Sequence, residues 1–297
     1  MDVRHLQLLR ELADRGSITA VAAATYRTVS AVSQQLRTAQ RDAGMRLVEP
    51  DGRGVRLTEA GRVLAAGGVE VETVLAAVQA RWDDYRNHPG GAVSVAAFPS
   101  AATLLFPSVL QTTARAGIEL RIVDVDLAEH EFAGLTVDHD IVIAHHLGGS
   151  EPPGASGLVV RELAVEPLDI AMASTHPLAG QEVLTADDVA DASWIGVPEG
   201  YPLDTVLTAI AAQLGRPLHV AQRIRDNRLV EALVAGSDHL AVLPRFTTSN
   251  SGLTLTPIVE VAARRHLSAL MRPDRAQRRA VRTTLEAIAD AARTASY

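Results

Sequence analysis

The chain has 297 residues, 47% hydrophobic and 21% charged, a balance suited to a globular protein of two or three domains. A formal charge of −7 and a pI near 5.8 exclude a protein that coats nucleic acid indiscriminately. With no cysteine, disulfides and Cys-based zinc or redox centres are excluded as well. All 28 basic residues are Arg, so every cationic contact comes from a planar, bidentate-capable group. Residues 1–60 hold nine Arg against seven Asp and Glu, which places the acidic excess further along. Met1-Asp2-Val3-Arg4-His5 carries no apolar signal core, and no stretch reads as long and apolar enough to span a bilayer. A cytoplasmic protein is expected.

Residues 2–14 read as a helix with Leu6, Leu9 and Ala13 on its apolar side, capped by Asp2 and ended by Gly16. Ser17 opens a short helix of small residues, 18–24, which lets a neighbouring helix approach closely. After the turn Thr25-Tyr26-Arg27, Thr28 is a good N-cap for a helix with two chemically different faces. Val29, Val32, Leu36 and Ala39 form an apolar stripe. Ser30, Ser33, Gln34, Arg37 and Arg41 form a face of hydroxyls, an amide and guanidinium groups, which bond base edges and phosphates. Two helices and a short turn make a helix-turn-helix pattern. Taken alone, the polar face equally fits any solvated helix. Its context points to DNA. Gly44 ends the helix, and two short apolar strands, 45–48 and 55–58, flank the turn 49–54 to make a wing. Arg53 at its tip and Arg56 on its second strand are placed for phosphates or the minor groove, or simply for solvent.

Three runs carry a family likeness: Ser17-Ile18-Thr19-Ala20-Val21-Ala22-Ala23-Ala24, Ser30-Ala31-Val32-Ser33-Gln34-Gln35-Leu36, and Arg53-Gly54-Val55-Arg56-Leu57-Thr58-Glu59-Ala60-Gly61. Their order and spacing resemble the N-terminal winged helix-turn-helix of LysR-type transcriptional regulators. The resemblance implies that Ser30, Ala31, Ser33, Gln34 and Arg37 face the major groove and that Arg53 and Arg56 face the flanking backbone. Thr28 and Arg41 complete the expected DNA-binding set. Three departures from the family pattern bear on operator preference: Val29 in place of a Gln, Ala39-Gln40 in place of Leu-Glu, and Val48 and Pro50 in place of an aromatic and an Arg before the wing.

Residues 59–87 read as one long helix, spanning roughly 43 Å. Ala60, Leu64, Gly67, Val71, Val74, Val78, Trp82 and Tyr85 recur near every 3.5 residues, a seam that suits a dimer better than packing within one domain. Gly61, Gly67 and Gly68 each weaken such a helix by about 1 kcal/mol. Asn87-His88-Pro89-Gly90-Gly91 then breaks helix and domain together.

Beyond this hinge, strands at 92–97, 118–123 and 140–144 alternate with helices at 101–116 and 129–135. A second such unit starts near Leu163, with strands 168–173, 194–197 and 240–243 and helices 203–214 and 227–235. A strand at 267–271 and a final helix at 277–294 return to the first unit. This alternation predicts a mainly parallel sheet in two lobes joined by two crossing segments. The layout resembles the periplasmic-binding-protein-like effector domain of the same regulators.

In paired α/β lobes a ligand lies at the carboxyl ends of strands. The loops that qualify supply Pro99, Ser100, Ala101 and Thr103, then His145 and His146, then Pro198, Glu199 and Tyr201, then Asn227 and Arg228. Ser100 and Asn227 serve equally well as plain N-caps. Adjacent residues on an extended segment point opposite ways, so His145 and His146 do not share an ion, and no spacing elsewhere completes a metal set. Gly148-Gly149 lacks the Lys of a P-loop and the spacing of a dinucleotide fingerprint. No nucleophile elbow is present. No catalytic residue, metal or cofactor is expected.

The expected architecture is α+β and multidomain: a winged helix-turn-helix over 1–58, a linker and dimerisation helix with hinge over 59–90, effector lobe 1 over 91–162 plus 265–297, and effector lobe 2 over 163–264. The expected function is sequence-specific transcription regulation controlled by a small-molecule effector held between the two α/β lobes. The partners would be double-stranded DNA bearing an interrupted inverted repeat, the effector, and further copies of the chain as a homodimer or dimer of dimers, with no membrane. The alternative is a soluble enzyme or solute-binding protein with an accessory helical domain, for which His145 or His146 with Asp138 or Asp140 would be the nearest acid–base pair.

Overall fold

A computed structural model of the chain describes residues 2–52, 54–86 and 90–295. It divides into two compact units, one joining Met1–His88 to Pro273–Arg279, the other holding Pro89–Arg272 and Ala280–Tyr297.

In the first unit, α1 (Val3–Arg15) begins where the Asp2 carboxylate accepts from the Arg4 amide at 2.9 Å and ends where Gly16 turns left-handed, φ 68°. Its buried face is Leu6, Leu8, Leu9 and Leu12, while Ala13 is exposed. Ser17 caps α2 (Ile18–Ala24), and Thr28 caps α3 (Val29–Ala43), its Oγ1 accepting from the Ala31 amide at 3.1 Å. Val32, Leu36 and Ala39 of α3 join Leu9, Val21, Leu47 and Leu57 in one core. Val29 does not: in the first turn it projects past the neighbouring helices and is 47% exposed.

The wing is tighter than the sequence suggests. β1 (Val48–Asp51) and β2 (Gly54–Leu57) pair antiparallel up to Asp51 opposite Gly54. The first strand begins at Val48 and not Met45, because the Gln40 side chain accepts from the Leu47 and Val48 amides (3.0 and 3.5 Å) and ties that connection to α3.

α4 (Glu59–Tyr85) presents two stripes. Gly61, Ala65, Gly68 and Ala80 are buried, whereas Val74, Leu75, Val78, Trp82 and Tyr85 are exposed. The buried glycines permit close approach: a Cβ on Gly61 would lie 2.1 Å from the Leu47 carbonyl oxygen, and one on Gly68 would lie 2.7 Å from that of Leu6. Arg10 of α1, itself buried, ion-pairs with Glu72 of α4 and, at 2.6 Å, with Asp274 of α8 (Pro273–Gln277). The sequence-level expectation about bilayers needs correcting here, because the Ala-, Val- and Gly-rich α4 is long and apolar enough to cross a membrane by length and composition. One such helix is weak evidence of a span, since helices of soluble proteins pass the same test.

In the second unit, β3 (Gly91–Ala97) lies between β4 (Ile118–Asp124) and β5 (Ile141–His146), all parallel. The remainder departs from the mainly parallel sheet expected. β6 (Val159–Ala173) is one 15-residue strand shared by both lobes. Up to Pro167 it pairs antiparallel with β11 (Arg264–Met271), which in turn pairs antiparallel with β5. From Leu168 it pairs antiparallel with β9 (Ala241–Pro244) and β10 (Leu253–Thr256). A strand that runs straight from lobe to lobe must enter each sheet against strands that arrive by crossover, and mixed sheets result. Parallel β7 (Ser193–Gly196) and β8 (His219–Arg223) extend the second lobe through the bond from the Ile195 amide to the Leu240 carbonyl, 2.8 Å.

Helix α5 (Pro99–Arg115) and the 3-10 segment Glu129–Val137 pack on lobe 1, as does α9 (Arg279–Ala295) from Ala280 onward. α6 (Pro202–Leu214) and α7 (Asn227–Ala235) pack on lobe 2 around fully buried Trp194. The segment Pro273–Arg279, expected with lobe 1, packs with the first unit.

Candidate nucleic-acid interface and effector cleft

On α3, Ser30, Gln34, Arg37 and Arg41 are exposed and Ala31 and Ser33 are partly so. Arg37 donates to the Gln34 side chain at 2.7 Å and Arg41 to Thr38 Oγ1 at 3.2 Å, which holds both guanidinium groups along the polar face. Arg56 pairs with Glu49 across the wing at 2.9 Å. Arg53 lies outside the described residues. Tyr26 went unremarked in the sequence. It sits in the turn at φ 54°, left-handed for a non-glycine residue, with its ring 99% exposed. An aromatic residue in a turn beside small helical residues was the available signal. Next to it Arg27 bonds to Gln35, whose amide donates to the Arg4 carbonyl at 2.8 Å. Gln35 thus braces α3 against α1.

Between the lobes of the second unit lies a cavity of about 600 Å³. Pro99, Ser100, Thr103, His145, Tyr201, Asn227 and Arg228 line it, while Ala101, His146, Pro198 and Glu199 do not. Ala101 is buried on the other side of α5. His146 follows the two-residue period of β5 to the opposite sheet face and stacks on His266, ring centroids 5.1 Å apart. Glu199 instead approaches Arg223 at 3.7 Å. The wall also holds Asp124, Asp126, Arg225, Glu231 and Arg265, which lie on strand ends and a helix face that the loop argument did not search.

At the crossing of the lobes, Arg265 pairs with Glu166 at 2.6 Å, both almost fully buried, and donates to Ser100 Oγ at 3.0 Å. Glu166 also accepts from the Phe246 amide at 2.8 Å. Neither N-cap reading holds. The residue before α5 is Phe98, which offers no side-chain acceptor, and α7 is capped by Asp226, whose carboxylate accepts from the Arg228 amide at 2.9 Å. His145 lies edge-on between Phe98 and Phe132, centroids 4.3 and 5.0 Å away. Burial, and then the Arg265 charge, push its pKa well below 6.5, so it is neutral at pH 7. Tyr201 reaches from lobe 2 to donate to the Asp126 carbonyl of lobe 1 at 3.2 Å. Asp140 is structural, accepting from the Ser94 amide at 2.9 Å.

A family profile for the LysR substrate binding domain matches residues 86–293, and one for the bacterial regulatory helix-turn-helix proteins of the lysR family matches residues 3–62. The chain belongs to the LysR family of transcriptional regulators. This LysR-type regulator is 24% identical to the transcriptional dual regulator GltC of Bacillus subtilis over 83% of its own length and 82% of that protein's. Its fold is that of full-length OxyR from Pseudomonas aeruginosa (TM-score 0.64, 18% identity, 97% of each chain). It is equally that of full-length LysG from Corynebacterium glutamicum with bound effector Arg (TM-score 0.62, 19% identity, 99% of each chain). The LysR-type assignment settles the class of function: the chain is an effector-responsive, DNA-binding transcription regulator and not an enzyme.

Proposed function

We propose that α3 reads one half of a paired operator site from the major groove, with Ser30, Ser33, Gln34 and Arg37 toward base edges. Thr28, Ala31, Arg41, Arg53 and Arg56 would line the flanking backbone. Two copies, or two pairs, join through the exposed stripe of α4 and place two recognition helices on an interrupted inverted repeat. A small effector enters the cleft beside Ser100, Thr103, His145, Tyr201 and Arg228, changes the relation of the lobes, and so alters spacing or bend in bound DNA. The site of action is the cytoplasm.

The observation that carries this reading is a solvent-facing polar helix and a separate two-lobed cavity in one chain of this family. A related regulator of the family, CbnR, has been solved in complex with its target DNA, which supports the first half by analogy. An electrophoretic shift on the promoter region of the gene itself tests it, with Ser33→Ala/Arg37→Ala as control. Loss of Arg37 costs about 1–3 kcal/mol if it reads a guanine and less if it touches phosphate alone. Unchanged affinity in the double variant rules α3 out as the reading helix.

A further inference from the structure

The charges on the cleft wall narrow the chemistry of the effector, an inference that rests on the cleft reading above. Arg225, Arg228 and Arg265 face the cavity, against Asp124, Asp126, Asp226 and Glu231. Arg265 is already matched by Glu166, and Asp226 is engaged by the Arg228 and Leu229 amides. His145 is neutral and adds no charge. Arg225 lies over the Tyr201 ring at 5.6 Å. Carboxylates therefore outnumber the cations left to balance them.

Glu231 on α7 decides the sign. It is 9% exposed, lines the cavity, and makes no hydrogen bond or ion pair with a described residue. A carboxylate withdrawn from water without a partner is unfavourable unless a cation joins it. Asp126 shares the condition, since partial burial raises its pKa against the opposing pull of Arg225. At the start of α5 the chemistry reverses. Ser100 Oγ, the buried Arg265 guanidinium and the first-turn amides, uncapped by Phe98, offer donors only an anion would collect.

We propose that the effector is a zwitterion of amino-acid type, its ammonium or guanidinium received by Glu231 and Asp126 and its carboxylate by the start of α5 beside Ser100. One cavity then carries both recognition chemistries, and the ligand supplies the charge that the wall lacks.

Thermal-shift and calorimetric titration of the full chain tests this, using the twenty L-amino acids, the amines putrescine and agmatine, and the anions succinate, malate and benzoate. The expected result is saturable binding of at least one amino acid, weakened about tenfold or more by Glu231→Gln, with Asp126→Asn as a second variant. Amines and anions fail to match it. Tight binding of an ammonium-free acid, unaffected by Glu231→Gln yet abolished by the cavity-filling Thr103→Trp, overturns the zwitterion and leaves the cleft reading intact. Binding of an amine as tight as any amino acid overturns the carboxylate half. No response to any compound, in binding or in operator affinity, overturns the inference and the cleft reading together.

Discussion

Arg265 lies where the chain passes between lobes, sharing its guanidinium between Glu166 and Ser100. Glu166→Gln leaves that buried cation unpaired, and the expected loss in urea denaturation of the full chain is about 3–5 kcal/mol. Replacing both partners by Met costs far less, because no orphaned charge remains. The histidines set a pH dependence. Both ring nitrogens of His146 are buried without a hydrogen-bond partner among the described residues, and burial lowers its pKa, as it does more strongly that of His145. As pH falls through 6.5 the unfolded chain binds protons that the folded chain refuses, so the neutral-histidine stability present above pH 6.5 is lost. Each histidine contributes a slope of up to about 1.4 kcal/mol per pH unit. Stability measured between pH 7.5 and 5.5 should fall, and His146→Phe should flatten part of that slope.

At the scale of the element, neighbouring glycines of α4 have opposite roles. Gly67 faces open space, whereas a Cβ on Gly68 would meet the α1 backbone. Gly67→Ala is expected to stabilise by about 1 kcal/mol from helix propensity alone. Gly68→Ala should instead destabilise by about 1–3 kcal/mol, through forced separation of α1 and α4. Guanidinium denaturation of the two variants side by side checks the sign of each. The glycine cost was legible in the sequence; which glycine meets a backbone was not, because that depends on how α1 crosses the helix. The wing is similar. Its existence followed from turn residues between short apolar runs, but its register depends on Gln40, a side chain that sequence reading took for a lost apolar contact.

At the scale of the whole molecule, α4 leaves Val74, Val78, Trp82 and Tyr85 exposed along one side. A chain of 27 helical residues, roughly 40 Å long, with such a stripe calls for a partner of the same length. Val78→Asp/Trp82→Asp should shift the sedimenting species toward monomer and weaken operator binding at least tenfold, since two half-sites are then no longer held together. An unchanged species distribution moves the pairing surface elsewhere.

Local chemistry sufficed for the helix-turn-helix. Caps at Asp2, Ser17 and Thr28, left-handed stops at Gly16 and Gly44, and the apolar period of α3 all act within a few residues, so residue order alone determined them. The two-lobed plan and the loops at strand ends were legible for the same reason, since alternation of strand and helix is a local pattern. Only the tertiary structure decided the rest. The antiparallel course of β6 and β11, the pairing of Arg265 with Glu166 and the solitude of Glu231 join residues far apart in the chain. Whether a buried charge meets its opposite is a property of packing, which no spacing in the sequence encodes.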